Sequence, residues 1–65
     1  MHTVEQAADK LGLSEASIIL LLRTHDETTG TTRLTRWQPE QGPPIRDIRI
    51  TDESLKREMK RRGLA

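Results

Sequence analysis

The sequence predicts a mainly α fold with one small β-hairpin, in the order α-α-β-β-α. Three observations predict it. Apolar residues recur at helical spacing in two N-terminal segments separated by Gly12 and Leu13. Two arginine-rich segments of β-forming residues, "TRLTRW" and "IRDIRI", flank the stretch "QPEQGPP". A last amphipathic segment after Thr51 begins with acids and ends with bases, the polarity a helix dipole favours.

Thr3 and Gln6 have the spacing of a capping box, and Val4, Ala7, Ala8 and Leu11 then share one helical face. The first helix is therefore expected over about Val4 to Leu11. Gly12 suits the left-handed conformation that ends a helix, with Leu13 folding back onto it. Ser14 is a good N-cap and Glu15 lies at the positive end of a second helix, expected over about Glu15 to Thr24. These two helices occupy residues 3–24.

The stretch "HDETTGTT", His25 to Thr32, is polar, contains glycine and lacks any period, so it reads as a loop. A hairpin is expected over about residues 31–50, with Pro39, Gly42, Pro43 and Pro44 at its tip, where proline excludes both helix and ladder pairing. Ile48 and Ile50 alternate with Arg49, which gives one buried and one charged face. Ile45 is out of phase with them, which predicts a bulge or a frayed start. Thr51 and Asp52 are both candidate N-caps for a third helix over residues 52–62, anchored by Leu55 and Met59 and stopped by Gly63.

At 65 residues the chain reads as one small domain, which buries only roughly 60% of its unfolded surface. It has no cysteine, so no disulfide framework supports it and a reducing cytoplasm is the expected compartment. Nothing resembles a signal peptide, and the apolar run Ile18 to Leu22 is far shorter than a membrane span. A soluble protein with no membrane partner is expected. Net charge is +1 but uneven: residues 1–22 hold one lysine against three acids, −2, and residues 23–65 hold ten bases against seven acids, +3. Any electrostatic footprint thus lies in the C-terminal two thirds. His2 and His25 lack companions at metal-ligand spacing, Ser14 and Ser17 sit at a helix start, and no glycine-rich phosphate loop or nucleophile and base pair is present. The reading is no enzyme, no metal and no cofactor.

Ala8, Gly12, Leu13, Ile18 and Leu21 fall at the spacing of a helix-turn-helix, in which a small residue lets two helices approach and a glycine makes the turn. With the hairpin and short helix that follow, the chain resembles the winged helix-turn-helix of phage excisionases and the wider MerR-like group. "TVEQAADKLGLSEASI" carries the resemblance most strongly, and "IRDIRITDESL" resembles the second wing strand and the helix after it. The resemblance covers essentially the whole chain, although the connection from Thr24 to Thr32 is longer than the family usually has. It implies a small regulatory or architectural protein that binds duplex DNA, with the second helix in the major groove and the wing at an adjacent minor groove. For excisionases it further implies bending of phage attachment DNA and contact with an integrase. The implied place of action is the cytoplasm of a bacterium or a phage-infected cell.

The implied DNA-facing residues are Ser14, Ala16 and Arg23 on the second helix, Arg33, Arg36, Arg46 and Arg49 on the wing, and Lys60 and Arg61 on the third helix, where Lys56, Arg57 and Arg62 complete a candidate phosphate-binding surface. About four to six phosphate contacts predict a slope of log K against log salt of roughly −4 to −5. The competing reading of these bases is a solvated face with Glu40, Asp47, Glu53 and Glu58 interleaved. Trp37, the only aromatic residue, is expected either to pack its own loop or to wedge into a groove or a partner pocket.

The second helix departs from the family in one respect. If Ile18, Leu21 and Leu22 face the core, Ala16, Ile19, Leu20 and Arg23 face outward, where relatives usually present polar or basic side chains to bases. Ile19 and Leu20 therefore open a second reading, a surface for self-association or for a protein partner. Burial under the following loop or the wing is a third. Fully burying each of the two side chains is worth on the order of 1.5 to 3 kcal/mol, comparable to a good bidentate base contact at roughly 1 to 3 kcal/mol.

Overall fold

The computed structural model describes residues 1–42 and 46–64, and within them three helices and two short antiparallel strand pairs. In chain order these are β1 (His2–Thr3), α1 (Val4–Leu11), α2 (Glu15–Leu21), β2 (His25–Asp26), β3 (Thr31–Thr32), β4 (Arg49–Ile50) and α3 (Asp52–Arg61).

Capping fixes the helix starts. The Thr3 hydroxyl accepts from the Gln6 N–H at 3.0 Å while the Thr3 N–H donates to Gln6 Oε1 at 3.0 Å, so the capping box is complete. Ser14 accepts from the Ser17 N–H at the start of α2, and Thr51, rather than Asp52, caps α3 by accepting from the Ser54 N–H. Gly12, at φ 67°, turns the chain between α1 and α2, and the Leu13 N–H closes the turn on the Ala8 carbonyl at 3.0 Å. Leu13 then packs on the core. The second helix stops three residues before the expected Thr24. Arg23 N–H and the Thr24 hydroxyl both donate to the Leu20 carbonyl, at 2.9 and 2.8 Å, which tightens the last turn and leads the chain out of the helix.

The stretch from His25 to Thr32, expected as a loop, is a hairpin: β2 pairs with β3 in the register His25 with Thr32 and Asp26 with Thr31. Asp26 builds the turn. Its carboxylate accepts from the N–H and the hydroxyl of Thr28, at 3.0 and 2.6 Å, and its carbonyl accepts from Gly30 N–H at 2.9 Å. Gly30 takes the positive φ of 72° that closes so short a connection.

The hairpin expected over residues 31–50 is correspondingly different. Its first residues, Thr31 and Thr32, belong to the β2–β3 pair, and β4 pairs with β1 in the register His2 with Ile50 and Thr3 with Arg49. The two limbs do meet farther along. Arg36 bridges Ile50, Trp37 N–H donates to the Arg49 carbonyl at 2.7 Å, and Thr51 N–H donates to the Thr35 carbonyl at 3.0 Å. Residues 35–37 thus run antiparallel to 49–51, with β1 on the other side of β4. The expectation for Ile45 lies outside the described residues.

Ala7, Ala8, Leu11, Ile18, Leu21, Leu34, Ile50 and Leu55 form one buried aliphatic cluster, bordered by Val4, Leu13, Leu22 and Met59. The three helices, β4 and the segment that carries Leu34 each contribute only one to three of these residues, so the cluster depends on all five. Leu34 is the link from the hairpin, fully buried and with its N–H on the Leu21 carbonyl at 3.2 Å. Among the described residues no helix is long and apolar enough to cross a membrane.

Candidate nucleic-acid and protein interface

The outward face of α2 follows from which residues seat it. Ile18 and Leu21 are buried and Leu22 packs on the core at the helix end. The opposite side therefore shows Ala16, Leu20 and Arg23 to solvent, with Ser14 exposed at the N-cap. Leu20 keeps 64% of its surface exposed, an unusual exposure for a leucine in so small an apolar complement. Ile19, expected fully outward, is half-buried, so the apolar surplus narrows to Leu20 and the outer part of Ile19.

On the strand side, Arg36 and Arg46 are exposed and Arg49 is half-buried. Arg49 donates to the Ile48 carbonyl at 3.3 Å and lies 3.7 Å from the Asp47 carboxylate, a loose surface contact. Lys60 is exposed on α3, and Trp37 is half-buried beside Arg36. Arg36, Trp37 and Arg49 lie within the antiparallel pairing of residues 35–37 with 49–51.

Arg33 and Arg61 occupy a different setting from the other bases. Glu58 on α3 is fully buried, and its carboxylate accepts four charge-assisted hydrogen bonds: two from Arg33 at 3.1 and 2.9 Å, one from Arg61 at 3.0 Å and one from Arg62 at 2.7 Å. That fills the acceptor capacity of a carboxylate. Arg61 also donates to the buried carboxylate of Asp26, so two acids and three arginines tie the β2–β3 hairpin to α3. Burial alone pushes the Glu58 carboxyl up, but hydrogen bonds and charge from Arg33 and Arg62 outweigh it and hold it below the ordinary range. Asp26 is held well below that range by the Thr28 hydroxyl and by Arg61, and the Arg61 guanidinium is correspondingly raised. Each arginine leaves roughly a third of its side chain in solvent, so their outer N–H groups still contribute positive potential.

The sequence alone admits Glu58 among solvated acids interleaved with the bases and gives no role to Asp26. The signal for Glu58 was partly present, since Arg61 and Arg62 stand three and four residues beyond it. Its burial depends on Arg33, 25 residues earlier, and no local pattern announces that. For Asp26 the cue was an Asp four residues before Gly in a threonine-rich stretch, the composition of a side-chain-closed turn. The chain matches no protein-family model, no curated protein and no solved structure.

Proposed function

We propose that this chain is a winged helix-turn-helix protein that binds duplex DNA, a small non-enzymatic regulatory or architectural factor of the excisionase-like kind, acting in the cytoplasm. The observation that carries the reading is the seating of α2. Only one side of it packs on α1 and the core, its capped N-terminal turn is exposed at Ser14, Glu15 and Ala16, and Arg23 is exposed in the turn that follows its last residue. The antiparallel limbs at 35–37 and 49–51 support the wing. They set Arg36 and Arg49 on neighbouring antiparallel limbs, and Arg46, three residues before Arg49, is exposed.

In this reading Ser14 and Ala16 approach the groove walls, and Arg23, just past the end of α2, is the residue able to pair with guanine edges or a phosphate. Arg46, Arg49 and Lys60 add phosphate contacts. Arg33 and Arg61 act chiefly as struts that hold the hairpin against α3, which lowers the count of full phosphate contacts to about four. The slope of log K against log salt is then roughly −3 to −4. Fluorescence anisotropy of a labelled random-sequence duplex at several salt concentrations tests this, and binding that ignores salt, or none at low salt, contradicts it.

The exposure of Leu20 favours a second reading, in which the outer face of α2 contacts a second copy or a protein partner such as an integrase. The two readings join if protomers or partners meet at Leu20 while the wing and α3 face DNA. Leu20→Glu separates them: in the second reading it abolishes association, whereas in the DNA reading the wild type does not associate and the variant binds duplex more weakly, because a carboxylate then faces the phosphates.

A further inference from the structure

A cavity of about 340 Å³ opens between the tip of the β2–β3 hairpin and the first two turns of α3. Its walls are almost entirely hydroxyl-bearing: Thr29 and Thr31 from the hairpin, Thr35 from the strand segment, and Thr51 and Ser54 from the start of α3. Arg57 closes it. Unlike Arg33, Arg61 and Arg62, Arg57 makes no ion pair and no side-chain hydrogen bond among the described residues, and its Nε is shut off from solvent without a partner. A buried guanidinium N–H left unpaired is costly, and such groups are rare enough in folded proteins to require an explanation.

The internal demands on the hydroxyls leave room for a ligand. Ser54 is consumed, since it accepts from the Thr35 N–H and the Thr51 hydroxyl and donates to the Thr51 carbonyl. Thr29 donates to the Asp26 carbonyl. Among the described residues Thr31 and Thr35 have no side-chain hydrogen bond, and they line the same cavity as Arg57, which leaves two hydroxyl donors and one guanidinium for a ligand there. Three donors and a positive charge in a polar cavity suit a tetrahedral oxyanion, with Arg57 supplying the planar fork that matches two phosphate oxygens. Glu53, four residues before Arg57, stands exposed on the rim and opposes an anion without occupying the donors.

We infer that this cavity is a phosphate-binding site in which Arg57 is the charged donor and Thr31 and Thr35 complete the shell. The hairpin's attachment to α3 through Asp26, Arg33, Glu58 and Arg61 holds the two walls at fixed separation, so the site is preformed. A phosphodiester of the DNA backbone and free inorganic phosphate share the chemistry it recognises. Assigning the site to the backbone rests on the DNA-binding reading, whereas the site itself does not.

The test follows the Arg57 Nε–Hε signal by ¹⁵N NMR while inorganic phosphate replaces chloride at constant ionic strength, and separately while unlabelled duplex is added. The expected result is a saturable shift of that signal with both. Arg57→Gln, checked for native fold by circular dichroism, weakens phosphate binding by about tenfold or more, read on the Thr35 amide. Thr35→Val weakens it several-fold while Arg57 remains, and Glu53→Gln tightens it. A shift with phosphate but none with duplex keeps the site, assigns it to the free anion and tells against the DNA reading. No saturable shift with either, in a protein that still binds duplex by anisotropy, overturns the site and leaves the DNA reading standing.

Discussion

Across the α1–α2 corner, Ala7, Ala8, Leu11, Ile18 and Leu21 meet as an aliphatic wedge turned by Gly12. Across the seam between the β2–β3 hairpin and α3, contact is made instead by Asp26, Arg33, Glu58, Arg61 and Arg62. The first contact is non-directional and tolerant of small shifts. The second works only when four hydrogen bonds reach one buried carboxylate together, because each arginine left unmatched returns the desolvation cost of the acid. A chain with so few large apolar residues has used charge to fix the orientation of a hairpin that hydrophobic area alone is too small to position.

The two regions respond differently to the same insult. Ile18→Ala opens a cavity in the wedge and is expected to cost about 3 to 4 kcal/mol, read from the urea midpoint in a stabilising osmolyte. Glu58→Gln is expected to cost about 3 kcal/mol, the low end for breaking a buried charged network, because its arginines reach solvent. The distinction between them sharpens with acid. Asp26 and Glu58 are both depressed in the folded protein, so their stabilisation is fully present above the unfolded-chain values near pH 4 and is lost as pH falls through the folded values. The penalty of Glu58→Gln should therefore shrink below about pH 4 while that of Ile18→Ala does not. Equal penalties at pH 7 and pH 3 for Glu58→Gln break the comparison.

Smaller effects bound it. Thr3→Ala removes the reciprocal cap of α1 and should cost about 1 kcal/mol by thermal or urea unfolding. Leu20→Glu touches neither region and should change stability by less than about 0.5 kcal/mol, while removing any association through α2. A large loss of stability from Leu20→Glu means that this side chain is buried in solution.

The same contrast explains what was legible in the sequence. The wedge obeys local rules: Thr3 with Gln6, the 3.6-residue recurrence of Val4, Ala7, Ala8 and Leu11, Gly12 as the turn and Ser14 as the cap all reappear in the fold. The cap of α3 was legible to within one residue, Thr51 or Asp52, and the burial of Ile50 was equally local. The seam obeys long-range rules. Nothing near His25 announces that "HDETTGTT" pairs with itself, because a two-residue strand has no period to detect. Nothing near Glu58 announces Arg33. The pairing of β1 with β4 joins His2 to Ile50 across α1, α2 and the β2–β3 hairpin, and β1 itself is only His2 and Thr3. Among the candidate site residues, the exposure of Ala16 and Leu20 followed from helical geometry, whereas the half-burial of Ile19, the exit of Arg23 from the helix, the engagement of Arg33 and Arg61 and the orphaned Nε of Arg57 required the tertiary fold.

Sedimentation velocity of the pure protein, with and without a random-sequence duplex at low and high salt, tests the central claim most directly. The DNA-binding reading predicts that protein co-sediments with duplex at low salt and is released at high salt, whatever its state alone. Protein that self-assembles through α2 yet leaves the duplex unbound at both salt concentrations contradicts it.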